Sequence, residues 1–381
     1  MIMKSHRALE YTESMMIRAL RASVSIFNFQ FSIFNFLCYT SFMKKNILSI
    51  FFALFAFSAF SLSKSFDYKN YTLTAYYPES VQPGDALFVR LCFESKNKKF
   101  IKSLPADSKE SGRLEIFRVK EDGNLNEKAT SKSLFYKIEE NKTKKLLRSV
   151  LLSGAPLSTY AKTGDYSAEI AFSVFGEENK ISLPVKIIEK EFVSETISLN
   201  ASNTAIKTNV SSERMDQINR LNKILDTKNA DAIYFDAAFN PPNPATRRTS
   251  FFGDRRIYAY DNGKSSTSLH YGIDYGVPTG SEVRACAGGK VVMAEDRIST
   301  GWSICIEHLP GLYSLYYHMS ELKVEVGQMV NQGELIGLSG ATGLATGPHL
   351  HWEMRLNMEA VSPDFFVSDF TFKEEAGKKK N

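Results

Sequence analysis

The stretch Thr346-Gly347-Pro348-His349-Leu350-His351-Trp352-Glu353-Met354-Arg355-Leu356 decides how this chain is read. From His349 the residues alternate without a break, with His349, His351, Glu353 and Arg355 on one side and Leu350, Trp352, Met354 and Leu356 on the other. A period of two with one apolar side marks a β-strand half-buried against a core, so the two histidines share its polar face. The 381-residue chain has six histidines, and five of them (His270, His308, His318, His349 and His351) fall between His270 and Glu353. His270 and Asp274 are an even number of residues apart and share a face if their segment is extended. Two imidazoles and one carboxylate make a three-ligand zinc site with the fourth position left to water, the arrangement of catalytic rather than structural zinc.

Three motifs occur in a fixed order: HxxxD from His270 to Asp274, the Tyr316-Tyr317-His318 run, and SGATGLATGPHLHWE from Ser339 to Glu353. Together they resemble the lysostaphin-like or LytM-type zinc endopeptidases, which cut the peptide part of peptidoglycan. The resemblance covers about the last third of the chain, from near Ser250 to Phe366, and the run Ser250-Phe251-Phe252-Gly253-Asp254-Arg255-Arg256 is similar to the start of that family's domain. It implies His270, Asp274 and His351 as metal ligands, with His318 and His349 as catalytic groups beside the bound water. Zn2+ is the implied cofactor, and spacing alone leaves cobalt and manganese open. One of the two free histidines would accept the water's proton and deliver it to the leaving amine, while the other, protonated, would stabilise the oxyanion. Either can take either part. Glu353 or a backbone carbonyl is the expected acceptor that fixes a ligand tautomer. Arg255 and Arg256 are read as substrate-carboxylate contacts or as a solvated strand edge. His308 lies off the motif and reads as a hydrogen-bonded structural residue, and Tyr316 and Tyr317 as packing.

Upstream, residues 64–193 show short alternating strands, best in Ala86 to Phe93 and Tyr166 to Val174, separated by turns such as Pro83-Gly84-Asp85 and Thr163-Gly164-Asp165. These spacings suit a β-sandwich of immunoglobulin-like type. Residues 194–245 read as a helical and Pro-rich linker. Ser211 or Ser212 caps a helix with Met215, Ile218, Leu221, Ile224 and Leu225 on one stripe, and Phe239-Asn240-Pro241-Pro242-Asn243-Pro244 follows as a stiff connector. The segment Tyr234 to Asn243 is expected to shield the active site. Residues 246–368 form the zinc peptidase domain. Thirteen of the 22 glycines lie between Gly272 and Gly347, which predicts an antiparallel sheet of short strands and tight turns presenting an open groove. The expected fold is therefore mostly β.

Residues 43–63 have a basic start, an apolar run and a small-residue exit, the pattern of a secretory signal peptide cleaved near Ser61 or Ser63. The apolar run is short for a membrane span. Residues 1–42 read as an upstream extension and 369–381 as a disordered basic tail. Export to the periplasm or cell envelope follows, with no stable membrane span after cleavage. The net charge of +5 gives no support to a nucleic-acid role. Cys92, Cys286 and Cys305 remain after cleavage, an odd number that excludes full pairing; Cys286 and Cys305, both expected in strands, are either bridged or buried side by side. The implied substrate is the peptide of peptidoglycan, with an envelope protein as a candidate partner of the N-terminal domain. The alternative is a non-catalytic scaffold or activator of another wall hydrolase. Such relatives usually lack a metal or catalytic residue, and this chain keeps all five.

Overall fold

Strands dominate because the apolar residues recur with period two over most of the chain. The computed structural model describes residues 62–105, 109–235, 237–368 and 372, all within one compact unit. Both the upstream extension and the apolar run to Ser61 lie outside the described residues, as does the basic tail apart from Phe372. Among the described residues no helix is long and apolar enough to cross a membrane.

Two five-stranded sheets make the N-terminal part. In the strand Gly164–Val174 the predicted face, Tyr166, Ala168, Ile170, Phe172 and Val174, is buried throughout. It meets Leu87, Val89, Leu91 and Phe93 of the strand Ala86–Ser95, which belongs to the other sheet, in a shared core. That second strand is buried on both faces. Its remaining apolar side chains, Ala86 and Phe88, join a different core that includes Phe366 and Phe372 near the C-terminus, with the Phe88 and Phe372 rings 5.2 Å apart. One hydrophobic cluster therefore crosses from the sandwich into the C-terminal part.

The C-terminal part is built on a ten-stranded sheet. The strand Leu350–Leu356 lies between Gly272–Tyr275 and Leu312–Leu322, in a register that sets Asp274 and Tyr317 on either side of His351. Gly272 permits this pairing, since a Cβ there would collide with the Trp352 carbonyl. Leu350, Trp352, Met354 and Leu356 all point into the core, as the alternation predicts. The opposite face carries Met293, Cys305, Tyr313, Leu315 and Tyr317, and Leu221, Ile224 and Leu225 of the helix Ser212–Leu225 pack on it. That helix starts at Ser211, whose Oγ accepts from the Arg214 N–H, and only part of its predicted stripe is covered, Met215 being exposed.

Several expectations are corrected. Cys286 lies in a bend beyond the strand Glu282–Arg284, and Cys305 in the strand Gly301–Leu309. They belong to separate clusters on opposite faces of the sheet, so the two are not bridged, and both are buried thiols. The linker holds an unexpected strand, Ser194–Ser198, which pairs in parallel with Arg255–Ala259, and a second helix, Ala201–Thr208. Tyr234 to Asn243 does not cover the histidine cluster. The Tyr234 and Phe235 N–H groups donate to the His308 carbonyl and that of Asn240 to Cys286, and Phe239 sinks into the core on the Trp352 side of the sheet. Burying Phe239 there, with Phe235 partly covered against the same core, recovers apolar area that a polar groove would not offer.

His308 is part of that latch. Its ring lies 2.7 Å from the Gly288 carbonyl through Nδ1 and 2.8 Å from Ser314 Oγ through Nε2. Burial pushes the imidazole down to about 4. Above pH 6.5 it is neutral folded or unfolded and has no effect. Between 6.5 and 4 the unfolded chain takes a proton that the folded one refuses, so acid destabilises by up to about 3 kcal/mol. Urea titrations from pH 7 to 4.5 should show His308→Gln less stable at pH 7 yet losing less on acidification. Equal losses in the two proteins would refute the linkage.

Candidate metal centre and active site

Three side chains converge at the end of the sheet's polar face. His270 Nε2 lies 3.1 Å from Asp274 Oδ1 and 3.0 Å from His351 Nδ1, and the last two atoms are 2.7 Å apart. Among the described residues this is the one group of three side chains able to share a metal ion, and all three are buried. A tetrahedral ion with bonds of about 2.1 Å would spread its donors to roughly 3.4 Å. Two of the separations are about 0.3–0.4 Å short of that spacing and the Asp274–His351 one about 0.7 Å short, so a small outward shift of these side chains would admit the ion, and the imidazole and carboxylate chemistry suits zinc.

The outward atom of each donor is tied. His270 Nδ1 lies 2.8 Å from the Phe251 carbonyl, and its donation there leaves Nε2 with the lone pair. His351 Nε2 lies 3.0 Å from Glu353 Oε1, leaving Nδ1 to face the cluster, and Arg355 holds the other Glu353 oxygen at 2.7 Å. Arg256 donates to Asp274 Oδ2 at 2.8 Å, leaving Oδ1 inward. Tyr317 stacks flat on the His351 ring, centroids 5.3 Å apart. Glu353 is thus the tautomer-fixing acceptor for one histidine and a backbone carbonyl for the other.

Electrostatics follow from this burial. It opposes charge on Asp274, yet the His270 and His351 contacts hold the carboxyl well below its usual range. Burial, helped by the neighbouring His351 and Arg256 and opposed by Asp274, pushes His270 down. In His351 burial acts the same way but is outweighed by Asp274 and Glu353, which raise the imidazole to about 9. Glu353 is held at about 2 by Arg355 and His351 against its own burial.

His318 and His349 stand beside the cluster with ring centroids 4.6 Å apart. His349 precedes the strand, contrary to expectation; it forms an isolated bridge with Gly340. Its Nδ1 lies 2.8 Å from the Gly347 carbonyl, and its Nε2 is 3.8 Å from Asp274 Oδ1. His318 reaches the site by a backbone device. Simple alternation would put it with Tyr316 in the opposite core, but its φ of 61° and a register shift just beyond it turn the ring to the metal face. A left-handed non-glycine residue costs on the order of 1–3 kcal/mol. Here it is held by the His318 N–H donating to Thr300 O at 2.8 Å and by Nδ1 at 2.7 Å from Thr342 O. Burial, then the neighbouring His349 and His351, push His318 down to about 3, so it is neutral.

Both arginines of the Asp254-Arg255-Arg256 run are engaged within the chain rather than forming a solvated strand edge. Arg255 donates to Thr159 and lies over the Tyr160 ring at 4.3 Å, while Arg256 bridges Asp274 to Glu195. Sequence reasoning assigned no role to Glu195, which no local pattern marks, or to Thr342, which lies inside the Ser339 to Glu353 motif. It also missed the helix Ala201–Thr208, whose Asn203 donates to the Ala345 carbonyl in the loop before His349.

Residues 268–363 match the family described as Peptidase family M23. This part of the chain is an M23 peptidase domain. The chain is similar to DD-carboxypeptidase/endopeptidase Mpg of Neisseria meningitidis, 43% identical over 95 residues, which covers 25% of this chain and 22% of that protein. It is 31% identical over 169 residues to Peptidoglycan DD-endopeptidase ShyA of Vibrio cholerae, covering 44% of this chain and 38% of ShyA. The chain thus spans well under half the length of these curated relatives. Among solved structures, the catalytic domain of the prophage-encoded M23 protein EnpA from Enterococcus faecalis is 31% identical, covering 33% of this chain and 95% of that one, with a TM-score of 0.29. The M23 domain here includes His270, Asp274, His318, His349 and His351, whereas Glu195 and Arg256 lie upstream of it.

Proposed function

We propose that this chain is an exported zinc-dependent endopeptidase that hydrolyses peptide bonds in peptidoglycan. The observation that carries this reading is the convergence of His270 Nε2, Asp274 Oδ1 and His351 Nδ1 beside two further imidazoles that are anchored through Nδ1. Relatives named as DD-endopeptidases favour the cross-links between stem peptides as the bond cut. In this reading residues 246–368 are the catalytic domain and 64–193 a β-sandwich module that docks wall or an envelope protein. Residues 194–245 join the two, and residues 43–63 direct export to the periplasm or envelope.

Residues His270, Asp274 and His351 would hold the ion. Bound zinc supplies a Lewis acid for the scissile carbonyl and lowers the pKa of its water to roughly 7. The chain's own residues manage the protons. His318 and His349 each give their Nδ1 proton to a backbone carbonyl, of Thr342 and Gly347 respectively, which leaves Nε2 as the working atom. One Nε2 takes the proton of the attacking water and passes it to the leaving amine. The other, once protonated, donates to the oxyanion of the tetrahedral intermediate.

The test is release of new amine termini from purified peptidoglycan by the zinc-loaded protein, with mass spectrometry of the fragments. Soluble peptides whose masses fit cross-link cleavage are expected. A protein that carries zinc and releases nothing would be a scaffold or activator instead.

A further inference from the structure

A ring closes around the outer side of the metal centre through three side-chain hydrogen bonds and the strand pairing of Ser250 with Asp274. Arg256 donates through one terminal nitrogen to Asp274 Oδ2 at 2.8 Å and through Nε to Glu195 Oε1 at 2.8 Å. Ser250 Oγ donates to the same Glu195 oxygen at 3.2 Å. The backbone fixes the ring as well. Glu195 and Arg256 are paired residues of adjacent parallel strands, and Ser250 is paired with Asp274. Ser250 and Asp274 are buried, and the Arg256 side chain is 11% exposed.

We propose that Glu195 and Arg256 are positioning residues of the metal centre, and that the strand Ser194–Ser198, upstream of the M23 domain, is a working part of that centre. A carboxylate can present either oxygen or both to a cation. With Oδ2 occupied by the planar guanidinium, Asp274 offers only Oδ1 toward His270 and His351. An arginine alone would set a positive charge beside a cation site. Glu195 cancels that charge and locks the guanidinium's rotation, so Asp274 keeps its full negative charge for the metal. This inference rests on the zinc reading of the site.

The test compares the full chain with Arg256→Ala, Arg256→Lys and Glu195→Gln. Three quantities are measured: zinc affinity by chelator competition, the visible absorption of the cobalt-loaded protein, and the melting temperature of the metal-free protein. Outer-shell partners of this kind contribute about 10–100-fold in affinity. Arg256→Ala should weaken zinc by that amount, with cobalt bands shifted as Asp274 changes its mode of binding. Glu195→Gln, which keeps the shape, should weaken zinc about tenfold. Arg256→Lys should not restore affinity, since an ammonium cannot span both carboxylates in the fork geometry. Unchanged or tighter zinc binding in Arg256→Ala and Glu195→Gln would overturn the proposal. So would a weakening matched by an equal loss of metal-free stability, which would make the ring merely structural. A parent protein that takes up neither zinc nor cobalt would instead refute the metallopeptidase reading, and this inference with it.

Discussion

His351→Ala is expected to abolish stoichiometric zinc binding and, with it, hydrolysis of peptidoglycan. His351 Nδ1 is the donor closest to Asp274 Oδ1, at 2.7 Å, and His351 is one of the three side chains that, among the described residues, are grouped to share an ion. Two donors cannot hold zinc in the geometry that leaves one open position. The ion is asked for several kcal/mol of transition-state stabilisation, and each 1.36 kcal/mol is a factor of ten, so kcat/KM should fall by at least about 1,000-fold. Thermal melting separates this from misfolding. The parent should gain about 2.7 kcal/mol when free zinc is a hundredfold above its Kd, and the variant should gain nothing. The metal-free variant should stay folded, because Trp352 and its neighbours on the other face are untouched. A variant that still bound one zinc per chain with parental affinity would remove His351 from the ligand set.

How much of this was visible in the chain depends on the range of the signal. The strand Leu350–Leu356 was legible because alternation is local, and its apolar side is buried as the pattern requires. The helix Ser212–Leu225 was legible from its cap and stripe. His318 shows the limit: by parity it belongs with Tyr316 in the other core, and only a left-handed residue brings it to His349, a conformation no residue type at that position announces. Motif resemblance supplied what periodicity would have denied. Glu195 carried no signal, since its meaning depends on a parallel strand pair between residues far apart in sequence. Arg256 was noticed but read as a substrate contact or a solvated strand edge, whereas in the fold its guanidinium donates to Asp274. The Tyr234 to Asn243 connector was misplaced because its prolines fix its stiffness and not its destination, which Phe239 decides by burial.

His349→Ala should behave differently although it lies only two residues from His351. Its Nε2 is 3.8 Å from Asp274 Oδ1, outside the tight trio, and its Nδ1 is anchored on the Gly347 carbonyl. Removing the ring leaves His270, Asp274 and His351 in place with their outer partners, so zinc content and affinity should be close to parental. What is lost on the proposed mechanism is one of the two imidazoles that carry the proton or stabilise the oxyanion, and such groups typically contribute 100- to 10,000-fold. The loss should fall on kcat with little change in KM, because the ring's work is done in the transition state rather than in substrate binding. His318 does not cover for it: that ring is tied to Thr342 and stands on its own backbone turn, so it cannot move into the vacated position. The measurement is zinc content alongside kcat on a cross-linked stem-peptide dimer for the parent, His349→Ala and His351→Ala. Zinc retained with the rate lost in the first variant, and both lost in the second, is the expected split. If His349→Ala also shed its zinc, the first histidine of the pair would be a ligand; if it kept its rate, proton transfer would have to run through His318 alone.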